Sequence, residues 1–268
     1  MRKICLFVLP VLCAIPLLGQ VSVFELNTPP TIDGSIGAGE WTNASVALPI
    51  SNFEIGSDPG ASDISGTVRL GWDSTNLYAL YQITDDIRGD DSAGGEGPWV
   101  TPQPGSSLNS FQDDSVELNF GSSPFTGTLT DSDNFQYRIN PGNNSELETF
   151  DIDTNTGIAW ATSGATSYVV EVSIPWSTLG VVPPTLSAVF SFNAALNDDD
   201  NPTGGVDDRQ QQAFWMSTDT DAWNEESQWG QIQLAAAIPE PSTYAMIFGF
   251  VGLAAVIFVK RRRANNED

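Results

Sequence analysis

The sequence predicts an all-β protein, an antiparallel β-sandwich of jelly-roll or immunoglobulin-like type. Three observations carry that expectation. Apolar and polar residues alternate in short runs, the pattern of a strand with one buried face. Clusters of Gly, Asn, Asp and Pro separate the runs, and no helical periodicity of useful length appears between them. The chain has 268 residues, 40% of them hydrophobic, enough apolar material for one large β domain or two small ones.

The clearest element is a hairpin. Thr67–Trp72 alternates, with Val68, Leu70 and Trp72 on one face. Asp73-Ser74-Thr75-Asn76 is rich in turn formers, and Leu77–Thr84 returns as the second arm. Further strands are expected over 115–120, 135–139, 158–161, 168–174, 188–196, 213–216 and 230–234. This even spacing is what a sandwich of antiparallel sheets requires. Residues 86–110, rich in Gly, Pro, Ser and Asp, read as a long surface loop. No internal repeat or second core is apparent, so residues 21–237 are expected to form one domain.

The two ends read as addresses. Met1-Arg2-Lys3 and the apolar run from Ile4 to Ala14 have the form of a secretory signal peptide, expected over 1–20 and removed by signal peptidase. That run is too short to span a bilayer. At the other end, Pro239-Glu240-Pro241 precedes an uncharged segment closed by Lys260-Arg261-Arg262-Arg263. The segment, about 243–259, is just long enough for a transmembrane helix whose basic end lies in the cytoplasm. An ordinary tail anchor is one reading of it.

Composition excludes whole classes of chemistry. There is no histidine, which removes Ser-His-Asp catalysis, imidazole-based zinc sites and axial histidine ligation of haem. Cys5 and Cys13 both fall in the expected leader, so the domain has no disulfide or thiol chemistry. Between positions 21 and 237 only Arg69, Arg88, Arg138 and Arg209 oppose 31 acidic residues. Such a surface repels a polyanion, and nucleic-acid binding is excluded. Hard oxygen coordination is the metal chemistry left, with Ca2+ the natural ion.

Aromatics and carboxylates therefore carry what function there is. Of eight tryptophans most are expected in the core, Trp72 and Trp176 among them. Trp223 differs, because it sits in the polar stretch Asp219–Ser227 with no apolar neighbour. An exposed ring of this kind offers a face on which the C–H groups of a sugar stack. The acidic clusters Asp85-Asp86 and Asn197-Asp198-Asp199-Asp200 repel themselves unless neutralised. Neither has the glycine and terminal glutamate of an EF-hand loop. They read either as a solvated acidic surface or as oxygen ligands of a structural Ca2+, with Asp85, Asp198, Asp199 and Asp200 the candidates.

Two resemblances sharpen these readings. Pro-Glu-Pro, a short apolar helix and an Arg cluster over residues 238–263 together resemble a PEP-CTERM sorting signal. That resemblance implies recognition by an exosortase, transient anchoring in the inner membrane, and delivery to the envelope or extracellular matrix of a Gram-negative bacterium. The second rests on an ordered series: Thr31-Ile32-Asp33-Gly34, Gly71-Trp72-Asp73, Gln112-Asp113-Asp114-Ser115-Val116-Glu117-Leu118, Tyr137-Arg138-Ile139-Asn140, Glu171-Val172-Ser173-Ile174-Pro175-Trp176 and Trp229-Gly230-Gln231-Ile232. Over roughly residues 28–234 it resembles a family 9 carbohydrate-binding module, a DOMON-like β-sandwich.

The family resemblance implies a sugar held between two rings. One lies six residues before the Glu of Asp-Ser-Val-Glu, here Phe111, where better-known sugar binders carry Trp. The other lies seven residues before the Gly opening the last strand, here Trp223. Glu117 and Arg138 match positions that hydrogen-bond sugar hydroxyls, and a charged acceptor beside a forked donor suits that task. A cross-strand ion pair is the plainer account of the same two residues. The resemblance also implies structural calcium. The function expected is non-catalytic carbohydrate binding. A glycoside hydrolase working through two carboxylates, a haem-binding relative and a matrix protein with a decayed sugar site are the alternatives.

Overall fold

The structure is a computed structural model and describes residues 20–87, 89, 111–121, 134–140, 144–148, 159–164, 167–181, 184–200, 209–217, 219 and 221–238. The expected leader up to residue 19, most of the 86–110 loop and the sorting segment beyond Ile238 lie outside them. Among the described residues no helix is long and apolar enough to cross a membrane.

Among the described residues thirteen strands form in chain order: β1 Gln20–Glu25, β2 Leu48–Ile50, β3 Asn52–Ile55, β4 Ile64–Trp72, β5 Asn76–Asp85, β6 Ser115–Gly121 and β7 Asn134–Asn140, then β8 Asn144–Glu148, β9 Ala159–Gly164, β10 Tyr168–Pro175, β11 Val189–Asp198, β12 Gln211–Phe214 and β13 Gly230–Ala235. The one helical element described is a short 3-10 turn, Glu226–Gln228. The predicted hairpin is β4–β5, in register from Ile64 opposite Asp85 to Trp72 opposite Leu77. At its turn the Asp73 carboxylate accepts from the Thr75 and Asn76 amides at 2.7 and 2.8 Å.

Neighbouring strands run β8-β7-β6-β11-β13-β1-β4-β5-β10-β9, with β12 joining β11 to β3 and β2 beside β4. The sheet folds over on itself into two packed layers. Phe120 of β6 lies 6.4 Å from Trp176, which follows β10. Tyr81 of β5 donates its hydroxyl to the Glu117 carbonyl of β6 at 2.8 Å. Val68, Leu70, Trp72, Leu118, Phe120, Val172, Phe192 and Ile232 fill the core between the layers. Trp72 and Trp176 are both buried there, as the alternation predicts.

Two features depart from the expectation. The sandwich is not purely antiparallel, because β1 runs parallel to both β13 and β4. Parallel neighbours cannot be joined by a tight turn, and here they are distant in sequence. In addition, β1 already begins at Gln20, which pairs with Gln231. The domain's ladder thus includes the last residue assigned to the leader.

Gly230 opens β13 against the Trp215 indole: a Cβ there would stand 2.6 Å from Cη2 and Cζ3 of that ring. The ring is buried, so it or the strand must shift to admit a Cβ. Gly230→Ala is expected to cost about 1–3 kcal/mol by overpacking, read as a lower urea midpoint with an unchanged slope.

Candidate functional site

The outer face of the β7-β6-β11-β12-β3 layer is where the polar half of each alternation collects. On β6, Val116, Leu118 and Phe120 point into the core. Ser115, Glu117 and Asn119 point the other way, yet they too are buried. A polar strand face shielded from water is costly unless every group is partnered, which marks this face as a site rather than a solvated surface. What covers part of it is the segment 221–229. Ala222 packs on Ala195 and Phe214 of the sheet, and the Trp229 indole N–H donates to the Ala222 carbonyl at 2.7 Å. With Ala222 pinned inward, its neighbour Trp223 turns out, and it is 38% exposed.

The result is a half-open cavity of about 340 Å3, lined by Glu54, Phe111, Glu117, Gln136, Arg138, Arg209, Gln212 and Trp223. Phe111, Glu117, Arg138 and Trp223, drawn from three separate stretches of the sequence, therefore line one cavity. Glu117 and Arg138 stand opposite each other in the β6–β7 register and form an ion pair at 2.9 Å, Arg138 Nε donating to Glu117 Oε1. The plainer account of the pair and its cavity position hold together: the pair is cross-strand and also lines the cavity.

Glu117 is the electrostatic centre. Asn197 Nδ2 donates to its Oε1 at 2.8 Å and Gln136 Nε2 to its Oε2 at 2.5 Å. Burial pushes its carboxyl up, but Arg138, Asn197 and Arg209 more than offset this, and it ends below the usual range. Arg209 donates to Asn197 Oδ1 at 2.7 Å. Both guanidinium groups also lie over the Phe111 ring, Arg138 at 5.2 Å and Arg209 at 5.3 Å from its centroid, within cation–π range. Glu54 behaves differently. Burial first, then Glu117, Asp219 and Asp221, push its carboxyl up to about 7 against the pull of Arg209.

Sequence reasoning missed Glu54, Gln136, Arg209 and Gln212. Gln136 was in reach, since it shares a face with Arg138 two residues on. Glu54 had no signal: β3 is four residues long and flanked by polar sequence.

The acidic candidates gather where β5 ends, β6 begins and β11 ends, grouped differently from the expectation. Carboxylate oxygens of Asp85, Asp114 and Asp198, all buried, lie within 4.8 Å of one another. Asp200 instead groups with Asp63 and Asp86. Asp199 joins neither set; its amide donates to Asp114 Oδ1 at 2.9 Å. Asp114 was hidden in the Gln112–Glu117 run, and only the fold carries it to β5 and β11. Its other oxygen accepts from the Gly89 amide at 2.6 Å. A Cβ at Gly89 would lie 2.3 Å from the Asp199 carbonyl oxygen, so only glycine fits this cradle. Asp85 Oδ2 and both Asp198 oxygens are buried without a hydrogen-bond partner. Burial, then neighbouring carboxylates, push Asp198 up to about 8; burial likewise carries Asp85 to about 7. Orphaned oxygens in a mutually repelling trio fit a hard divalent cation.

An all-β sandwich that presents a half-open cavity with a ring on its rim and charged and amide groups on its floor is a small-molecule binding domain. Residues 32–237 match the family described as carbohydrate family 9 binding domain-like, and the chain belongs to that family. It is 29% identical over 220 residues to exoglucanase XynX of Acetivibrio thermocellus, covering 80% of this chain and 17% of that protein. It is 28% identical over 210 residues to endo-1,4-beta-xylanase A of Thermoanaerobacterium saccharolyticum, 76% of this chain and 15% of that one. The chain thus spans less than a fifth of the length of these curated relatives. A solved family 9 carbohydrate-binding module from Caldicellulosiruptor kristjanssonii, in complex with cellotriose, superposes with a TM-score of 0.62 at 20% identity, covering 82% of this chain and 98% of that one. At that identity the likeness is one of fold.

Proposed function

We propose that this chain is a non-catalytic carbohydrate-binding protein whose ligand enters the cavity between Phe111 and Trp223. The observation that carries this is the convergence of Trp223, exposed on a pinned turn, with the Glu117–Arg138 pair in one cavity. Trp223 supplies the larger stacking face. Phe111 closes the opposite side, its π-face already engaged by two guanidinium groups. Glu117, Arg138 and Gln136 read the hydroxyls, held in place by their own hydrogen bonds so that little reorganisation accompanies binding. The ligand is placed in the class of oligo- or polysaccharides, the class to which the cellotriose of the structural neighbour belongs.

Isothermal titration with cello- and xylo-oligosaccharides tests the reading. Trp223→Ala is expected to weaken binding by about tenfold or more, since a stacked ring contributes beyond the area it buries. Equal affinity of wild type and variant would sink the proposal.

A hydrolytic reading has one observation in its favour. Glu54 held near 7 beside a low-lying Glu117 is the asymmetry an acid–base pair uses. Against it, three donors occupy the oxygens of Glu117, which leaves it a poor nucleophile or base. Reducing-sugar release from xylan or cellulose by the purified protein would reverse the choice.

Asp85, Asp114 and Asp198 would hold a structural Ca2+, with Asp200, beside Asp63 and Asp86, next to it. When bound, the ion neutralises the buried charge of the three carboxylates. We further infer export through the leader at 1–20, and sorting by an exosortase acting on the PEP-CTERM-like segment 238–263. The chain then resides in the envelope or matrix after transient anchoring through the helix at 243–259. Support for this rests on the residue pattern of the two ends. Fractionation of cells with and without the Pro239–Pro241 tripeptide tests it.

A further inference from the structure

The cavity contains one carboxylate that the pairing of Glu117 with Arg138 leaves unexplained. Glu54 lies on β3, where the pairing with β12 slips: Ile55 stands opposite Gln212 and Phe53 opposite Ala213, so Glu54 is the extra residue of a bulge. A bulge of this kind re-aims a side chain and is a recurrent device beside binding sites. Here it turns Glu54 into the cavity, where its Oε2 is buried with no hydrogen-bond partner. The two cations nearby are already engaged, Arg138 with Glu117 and Arg209 with Asn197. A buried acceptor without a donor is costly to leave so, and an incoming ligand hydroxyl satisfies it.

We propose that Glu54 is the specificity-determining residue of the cavity: its Oε2 accepts a hydrogen bond from a ligand hydroxyl, and its charge turns away sugars that carry a carboxylate. The ligand class is thereby narrowed to neutral saccharides, excluding uronate-bearing ones. This rests on the sugar-binding reading above. The charged groups facing Glu54 are Glu117 from β6, Arg138 from β7, Arg209 ahead of β12, Asp219 just ahead of the covering segment and Asp221 at its start. Asp219 and Asp221 reinforce the repulsion from the Trp223 side. The carboxyl, pushed up to about 7 by burial, carries its charge above that pH and becomes a neutral O–H donor below it. Rejection of a uronate is therefore stronger at pH 8 than at pH 5.5.

Titration of the full protein with cellotriose and with glucuronate, at both pH values, tests this on wild type, Glu54→Gln, Glu54→Ala and Trp223→Ala. Circular dichroism melting establishes that each variant is folded. Glu54→Ala is expected to weaken cellotriose binding by about tenfold, the loss of one charge-assisted hydrogen bond. Glu54→Gln is expected to admit glucuronate equally at both pH values, whereas wild type discriminates more at pH 8. If Trp223→Ala abolishes cellotriose binding while both Glu54 variants behave as wild type, this inference is overturned and the sugar-binding reading stands. If wild type binds neither cellotriose nor any neutral oligosaccharide of a glycan array, both fall together.

Discussion

Calcium removal is expected to lower the melting temperature of the wild-type protein by about 5–10 °C, and Asp198→Asn is expected to abolish that dependence. The buried oxygens of Asp85, Asp114 and Asp198 converge within 4.8 Å, and three of them have no hydrogen-bond partner. Without a cation, these like charges raise the energy of the folded state and not of the unfolded one. An ion present at about a hundred times its dissociation constant adds about 2.7 kcal/mol of stability by mass action. For a domain of this size each kcal/mol moves the midpoint by about 2–4 °C. Asp198→Asn separates a metal site from a merely acidic corner because its sign depends on the ion. In chelator it replaces a carboxyl that burial and its neighbours make costly to ionise with a neutral amide, and the variant is expected to match or exceed wild type. In calcium it removes a ligand, and the variant is expected to be the less stable. A wild-type midpoint indifferent to calcium and chelator alike would rule the site out.

Arg138→Ala is expected to be the most damaging single change in the cavity, destabilising the fold by about 3–5 kcal/mol as well as ending sugar binding. Glu117 is 1% exposed, and Arg138 is the partner that makes its charge tolerable. Removing one member of a buried pair leaves the other charged and dry. The pH dependence follows from the direction of the Glu117 shift. In wild type its carboxyl lies below the ordinary value. It therefore contributes stability above about pH 4.5, and that contribution is lost as pH falls through the lower folded value. In the variant, burial dominates and the carboxyl rises, so the deficit is largest at neutral pH and narrows in acid. Urea unfolding at pH 7 and pH 4 measures both. Arg138→Ala with Glu117→Gln is expected to recover much of the loss. A double variant no better than Arg138→Ala would show that packing, not charge, is what Arg138 supplies.

How far the sequence reaches differs from strand to strand. β4, β5, β6, β10 and β11 are long, and their alternation leaves no doubt about which face meets the core. β2 and β3 have three and four residues, too few for a period of two to stand out. Val21-Ser22-Val23 does alternate, yet it adjoins an apolar leader that masks it, and its parallel partners are more than 40 residues away. In the cavity, Phe111, Glu117, Arg138 and Trp223 were legible because their spacing resembles that of a known family. Glu54 was not, because its orientation comes from a register slip between two short strands.

The acidic end makes the same division. Any count of aspartates shows that some must be neutralised, but the grouping of Asp114 with Asp85 and Asp198, to the exclusion of Asp199, depends on where β5, β6 and β11 end.

Taken alone, the chain's pattern determines an all-β fold, a domain without histidine or cysteine, a strongly acidic composition, and the burial of Trp72 and Trp176. These follow from composition and from periodicities local to each strand. Only the folded sheet decided that a polar strand face is buried, that Ala222 pins Trp223 outward, and that a bulge aims Glu54 into the cavity. The reason is physical: alternation says which residues share a face, whereas the neighbours that cover that face come from strands and turns a hundred residues and more apart.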